Sequence, residues 1–467
     1  MLRSVRHGGS GSIVNTVVGV VAAVTIGRTL GPEVYGLYVA THAVVMLAEL
    51  LASMQLRVQV ARDDRPLNVA ASRWVARVSG GVSAALFVAV GVILILGNGP
   101  PARGGLLILL AGHAVLAPMT AVIGGVLVAR GDAAGAGLLP SLGGFVRLVL
   151  AMFLPLLPVA GRIYAIALVD TGVALLVYLV VRHRAGHLPA ERSTSPARSR
   201  VIRAAGSLLM VSAAWSIVQR SDLILLDLLA GTTDAGTYSV GLRLTAIPMQ
   251  FQAAALVLAV PHLRSASDGE SVRKGFREAT SLVLPLLLPA ITLVSWAGGD
   301  IADFLFGSSF RLPDHVYLLL GLGGLVLVAT GPTGPYLIAH AKDRELVRRA
   351  LATITLNIAL NALLIPRWGV SGAAAATAIS LAWLSATGLQ LTRRHAGVPP
   401  LGASHGLWVL LNVTVQSAIV LALVRSIDHP VVGFTVAGMA ALATSLVMNR
   451  RLLGGLLTGR EGHDVEL

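Results

Sequence analysis

The chain has 467 residues, 55% of them hydrophobic and 12% charged, with a mean hydropathy of +0.79 and a formal net charge of +14. No water-soluble fold of this length hides so much apolar surface, so the composition excludes a soluble globular protein and predicts a polytopic membrane protein. The absence of cysteine excludes disulfides and thiolate metal sites.

Runs of about 20 apolar residues predict fourteen membrane-spanning helices. In chain order they lie at roughly residues 10–28, 37–56, 75–97, 105–129, 138–158, 162–181, 205–228, 238–261, 279–298, 316–339, 348–365, 369–391, 405–425 and 430–448. Continuous apolar runs argue for helices, because a barrel strand would alternate. Between the first two spans stands Gly31-Pro32-Glu33-Val34-Tyr35-Gly36-Leu37-Tyr38. Its outline returns between spans seven and eight as Gly231-Thr232-Thr233-Asp234-Ala235-Gly236-Thr237-Tyr238. Gly at both ends supplies backbone conformations that a side chain forbids, and Tyr at the next helix entry suits a membrane–water interface. Two further echoes support a duplication: Ala129-Arg130-Gly131-Asp132 with Ala341-Lys342-Asp343, and Pro158-Val159-Ala160-Gly161 with Pro366-Arg367-Trp368-Gly369.

The predicted organisation is an N-terminal six-helix bundle at residues 1–181 and a basic cytoplasmic linker at 182–204. A C-terminal six-helix bundle follows at 205–392, then two additional helices and a cytoplasmic tail at 393–467. Six spans precede the linker, so the halves are parallel repeats, as in transporters whose halves rock around a central cavity. With a cytoplasmic N-terminus, most of the 36 Lys and Arg fall on the inner side, while outer turns hold Arg28, Arg103, Arg162, Arg311, Arg367 and Arg425. Both termini are therefore expected in the cytoplasm, and the positive charge reads as an orientation signal rather than a nucleic-acid surface. Arg3 and Arg6 precede the first span, but no small-residue cleavage site precedes the Gly31 turn, so this span is expected to remain as a helix.

Signatures of catalysis are missing. The two lysines, Lys274 and Lys342, stand before Gly and Asp, so there is no phosphate loop, and no His-Glu-x-x-His occurs among twelve dispersed histidines. Outer loops are short, which leaves no room for an extramembrane catalytic domain. The expectation is a non-enzyme without cofactor or metal.

What stands out is charge inside the spans, where each mid-helix Arg or Asp costs about 2.5 to 3.5 kcal/mol on insertion scales. The seventh span carries Gln219, Arg220, Asp222 and Asp227. Arg220 and Asp227 share a helical face, whereas Arg220 and Asp222 diverge. With Arg243, which shares a face with Gln250 near Pro248, and with Arg28, Arg220 could form a basic patch high in the cavity. Arg147 and Asp170 sit mid-span in consecutive helices, either as a structural ion pair or as a substrate or ion site. Glu49 either binds a coupling cation or pairs with Arg57 or Arg77, and pairing is favoured.

The stretch Asn357-x3-Asn361-x2-Leu364-Ile365-Pro366-x2-Gly369-x2-Gly372-Ala373-Ala374-Ala375-Ala376-Thr377 resembles the signature of polysaccharide and O-antigen flippases in the multidrug/oligosaccharidyl-lipid/polysaccharide superfamily. Arg28-x-Leu30-Gly31-Pro32-Glu33-x-Tyr35-Gly36-Leu37-Tyr38 is similar to that family's first turn. Gln219-Arg220-x-Asp222, Gly236-x-Tyr238-x3-Leu242-Arg243 and Leu305-Phe306-Gly307 fit its later spans, so the resemblance covers roughly residues 10–392. It implies flipping of a polyprenyl-diphosphate-linked oligosaccharide from the inner to the outer leaflet of a bacterial cytoplasmic membrane. Arg220, Arg28, Arg243 and Arg147 would meet the diphosphate, and Asp222, Asp170 or Glu49 would couple a proton or sodium gradient. Asn357, Asn361 and Gln219 would contact the glycan, or the two asparagines would clamp helices together. Implied partners are the bilayer, the lipid-linked oligosaccharide, and polysaccharide polymerase and glycosyltransferases. The alternatives are an ion-coupled multidrug or small-molecule antiporter of the same superfamily, which 5% aromatic residues and in-span arginines disfavour, and a membrane polymerase or glycosyltransferase, which the short outer loops disfavour.

Overall fold

The computed structural model describes residues 2–62, 64–97, 100–132, 143–186, 193–265, 268–340, 343–427 and 429–448. Among them every regular element is helical, and the protein is an all-α polytopic membrane protein. Eight helical stretches have the length and hydropathy of a membrane crossing. Large apolar side chains such as Val82, Leu86, Ile93, Leu179, Leu407 and Val447 are exposed on them, as a surface facing lipid requires.

Packing divides the chain into two compact units, Met1–Gly236 and Thr237–Leu467. The first contains α1 (Leu2–Ser53), α2 (Leu56–Arg62), α3 (Pro66–Leu96), α4 (Pro101–Ala129), α5 (residues 143–151), α6 (Val159–Ala185) and α7 (Ser195–Leu229). At helical rise the 52 residues of α1 would extend about 78 Å, more than twice a bilayer's hydrocarbon core. The chain turns instead at Gly31, where φ 73° and ψ 168° lie outside helical space. Two spans result, as the Gly-Pro turn predicts. A second break, at Met54 and Gln55 with φ of 43° and 54°, redirects the chain into α2.

Within this unit α4 is the hub, packed by α1, α2, α3 and α6. Close approach relies on small residues: a Cβ at Gly91 would lie 2.7 Å from the Gly104 carbonyl oxygen, and one at Gly104 only 2.6 Å from that of Gly91. At the other end of these helices Leu56, Val60, Val69, Val75, Val122 and Val126 form a buried cluster with Ala197 and Val201 of α7. Arg198 lays its guanidinium over the Trp74 ring, 4.2 Å from the centroid. Thus α7 belongs to the first unit by packing, although by sequence it opens the second half.

The second unit contains most of α8 (Thr232–Ser265), then α9 (Gly269–Phe306), α10 (Asp314–Ala329), α11 (Thr333–His340), α12 (Asp343–Ala396), α13 (Ala403–Ser426) and α14 (Pro430–Met448). Asp268 caps α9, accepting from the amides of Glu270 and Ser271, and bonding with Ser271 holds its carboxyl below the usual carboxylate range. The 54 residues of α12 turn at Gly369, with φ 52° and ψ −129°, in the Pro-x2-Gly of the signature.

The span expected at 316–339 is interrupted. Pro332 has no N–H to continue the ladder, and the helix stops at Ala329 and resumes at Thr333. Gln252 Nε2 donates to the freed carbonyls of Leu327 and Val328, and Thr330 Oγ1 donates to Val326 O. Helices α13 and α14 pack on each other and on α9, where Val409 joins Leu284, Leu287, Leu288, Ile291 and Val328.

Candidate functional site

Beyond the Gly31 turn, the second arm of α1 carries Tyr35, Tyr38, His42 and Glu49 at increments of 3, 4 and 7, the spacing of one helical face. Around this face the first unit gathers its interior charge. Asp170 of α6, 4% exposed, accepts a hydrogen bond from the Tyr38 hydroxyl at 2.5 Å and one from Arg147 Nη2 at 3.1 Å. Arg147 Nε lies 2.8 Å from its other oxygen. Arg147 also donates to the Tyr38 hydroxyl, with its guanidinium carbon 5.9 Å from the ring centroid. Two hydrogen bonds thus converge on Oδ2, and the guanidinium beside Oδ1 matches the carboxylate's charge.

Deeper along the same face Glu49, 8% exposed, shares a hydrogen bond with His113 Nδ1 of α4. His42 joins the two groups. Its Nε2 is 3.9 Å from Asp170 Oδ2, and its ring stands 5.6 Å from Tyr38 and 6.3 Å from His113 by centroids. Glu49 thus takes a histidine rather than Arg57 or Arg77. The reason is the break at Met54 and Gln55, after which Arg57 leaves the α1 face and lies over Gly124 of α4.

Arg147 and Asp170 meet, and the structure adds Tyr38, His42 and His113 to them. The tyrosines of the duplicated turn are not at a water interface: Tyr35, Tyr38 and Tyr238 are fully or almost fully buried, because the turn folds them inward onto neighbouring helices. Asp227 bonds to Arg103 Nη2 of α4, at 2.7 and 2.9 Å to its two oxygens, rather than facing only its own helix. Asp222 has no exposed surface, and its Oδ1 accepts from the Leu223 amide at 2.9 Å. Gln219 and Arg220 are half-buried on α7 and Arg28 is exposed on α1, all in the first unit, whereas Arg243 is half-buried on α8 in the second.

Asn357 and Asn361 have no exposed surface. Asn357 Nδ2 donates to Ser380 Oγ at 3.2 Å across the two arms of α12, and Asn361 Nδ2 donates to the Asn357 carbonyl at 3.0 Å. Their geometry is that of a helix clamp.

Within the first unit the Gly31–Gly36 and Gly231–Gly236 segments of the two turns cross backbone to backbone. A Cβ at Gly36 would lie 1.7 Å from the Thr232 carbonyl oxygen, and one at Gly236 would lie 2.0 Å from that of Pro32. The contact is reciprocal. It leaves no room for any side chain at either glycine.

Residues 8–267, more than half the chain, match the model of a family described as "Polysaccharide biosynthesis protein". The chain belongs to that family. Within this polysaccharide biosynthesis family it is similar to two proteins of Haloferax volcanii. One is "Probable low-salt glycan biosynthesis flippase Agl15", 25% identical over 164 residues, which are 34% of this chain and 35% of that protein. The other is "Probable flippase AglR", 27% identical over 244 residues, 50% of this chain and 51% of that protein. The chain therefore spans about half or less of the curated relatives it matches. Among solved structures, "Lipid II flippase MurJ, inward closed conformation" superposes with a TM-score of 0.70 at 13% identity, covering 96% of this chain and 99% of that one. At that identity the likeness establishes a common fold.

Proposed function

We propose that this protein flips a polyprenyl-diphosphate-linked oligosaccharide from the inner to the outer leaflet of a bacterial cytoplasmic membrane by alternating access, with both termini in the cytoplasm. The observation that carries the reading is membership of the polysaccharide biosynthesis family over residues 8–267. The names of the two similar Haloferax proteins, both flippases, and the fold shared with a lipid flippase support it. Such a cargo carries a diphosphate that hydrocarbon rejects, and guanidinium groups answer it because they bind phosphate oxygens bidentately. Arg147 is ion-paired with Asp170, and the diphosphate is assigned to Arg220 of α7, assisted by Arg28 of α1. The glycan is solvated by polar side chains including Gln219, while the prenyl tail stays in the bilayer. The buried carboxylates Glu49 and Asp222 are the groups through which an ion gradient drives the cycle, while Asp170 is held by Arg147. Polymerase and glycosyltransferases act before and after it on the same glycan.

Binding to the detergent-purified chain tests the cargo class. A fluorescent prenyl-diphosphate oligosaccharide should bind at least about tenfold more weakly to Arg220→Ala, the loss of one charge-assisted contact worth roughly 1.5 to 3 kcal/mol. The same glycan on an uncharged prenyl carrier should bind wild type and variant alike. Equal affinity of wild type for the two carriers contradicts the diphosphate reading.

A further inference from the structure

Resting on that reading, we infer that the ion driving the cycle is the proton, and that its carrier is the Glu49–His113 pair, which lies beside His42 and the Asp170–Tyr38–Arg147 triad. The two buried carboxylates of this cluster differ in one respect that decides between them. Asp170 faces a guanidinium, which does not give up its proton, so its charge is matched in every state of the cycle. Glu49 faces an imidazole, which gains and loses a proton around neutral pH. With neutral His113 the pair carries a net charge of −1 inside the helices. When a proton arrives on the imidazole the pair becomes Glu49 carboxylate with His113 imidazolium and its net charge is zero, with no bond changed other than N–H. Neutralising a buried charge changes the cost of holding these helices together, which is what a coupling site needs.

Among the described residues, charged and titratable groups approach the pair from α1, α5 and α6. From α1 itself come Tyr38 and His42, from α5 Arg147, and from α6 Asp170. Helix α2 meets α4 through Arg57 at Gly124, about 16 Å along α4 from His113 at helical rise. Helix α7 meets it through Asp227, bonded to Arg103 about 15 Å away in the other direction. Helix α3 approaches α4 through Gly80, beside Ala114 and Val115. A run of ring contacts therefore links Asp170 to Glu49: Tyr38 to His42 at 5.6 Å and His42 to His113 at 6.3 Å. Histidines in series are groups that can each accept and release a proton.

The donor set speaks against sodium or another metal ion. Hard cations take several oxygen ligands, but the Glu49 carboxylate meets a ring nitrogen, and Asp170 meets guanidinium nitrogens and a phenol that donates to it. Among the described residues no group of three His, Cys, Asp or Glu is placed to hold a metal ion.

Currents evoked by solution jumps on a solid-supported membrane, with proteoliposomes of the full chain and no cargo present, test this directly. A pH jump should evoke a transient current in wild type that persists when sodium is replaced by choline. His113→Gln, which removes the proton acceptor, should abolish it, and Glu49→Gln, which removes only the counter-charge, should reduce it at least about fivefold. Size-exclusion profiles establish that both variants fold. A current that follows a sodium jump, a pH-jump current equal in Glu49→Gln and wild type, or no pH-jump current from folded wild type overturns the proton assignment. Cargo crossing is measured on the same vesicles: loss of crossing in wild type alongside an intact proton current removes the flippase reading and leaves the proton site standing, whereas crossing that ignores a pH gradient removes only the proton.

Discussion

Asp170→Ala destabilises the first unit by about 1.5–3 kcal/mol, the cost of removing the buried, charged acceptor from a half-buried guanidinium. Arg147 loses both carboxylate oxygens at once, and the Tyr38 hydroxyl loses its acceptor. Thermal unfolding of the purified protein reads the effect. The double variant Asp170→Ala/Arg147→Met should recover most of the loss, because replacing a whole buried pair by apolar side chains is close to neutral. A single variant within about 1 kcal/mol of wild type would mean that water or lipid headgroups satisfy Arg147, and that the triad does not hold the helices together.

Gly36→Ala forces the two copies of the turn apart. The new Cβ would stand 1.7 Å from the Thr232 carbonyl oxygen, a distance at which backbone must move because no flexible side chain can yield. Overpacking at such a site costs about 1–3 kcal/mol or more. The chain has no cysteine, so Glu33→Cys and Thr233→Cys on the two turns can be introduced without a background. Their oxidative crosslinking should be efficient with glycine at 36 and fall at least about fivefold with alanine there. Gly172→Ala, where nothing lies within 4 Å of the added atom, is the matched control. Unchanged crosslinking in Gly36→Ala would mean that the turns do not rest against each other in the bilayer.

Both results bear on what could be read before any coordinates. The breaks at Gly31 and Gly369 follow from local chemistry: glycine adjacent to Pro32 in one case and three residues after Pro366 in the other, inside an apolar run too long for one crossing. The membrane class follows from composition alone. Arg147 and Asp170 were legible as a pair because they lie in consecutive helices on either side of one turn, and charge in lipid must find charge. Glu49 was legible as a buried acid but its partner was not, since His113 lies 64 residues away on a helix whose neighbour only the fold determines. The spacing of Tyr38, His42 and Glu49 along one face did point there, and it is the signal that a helical wheel of the second span would have supplied. Asp227 illustrates the same limit. Its partner Arg103 stands 124 residues earlier, in the first turn of α4. An amphipathic ring at a helix entry suits an interface, whereas here a buried carboxylate draws Tyr38 inward. The crossing of Gly36 with Gly236 was visible only as a repeat, and the contact between the repeats comes from the fold.

Leaflet exposure of a lectin-readable prenyl-diphosphate oligosaccharide in proteoliposomes is the most direct measurement of what the protein does. Wild type should bring the glycan to the opposite leaflet at least about tenfold faster than empty vesicles, and folded Arg220→Ala should fall back to the empty-vesicle rate. Crossing no faster with wild type than without protein, over several glycans and with a pH gradient applied, would contradict lipid-linked oligosaccharide flipping and turn attention to another cargo of this fold.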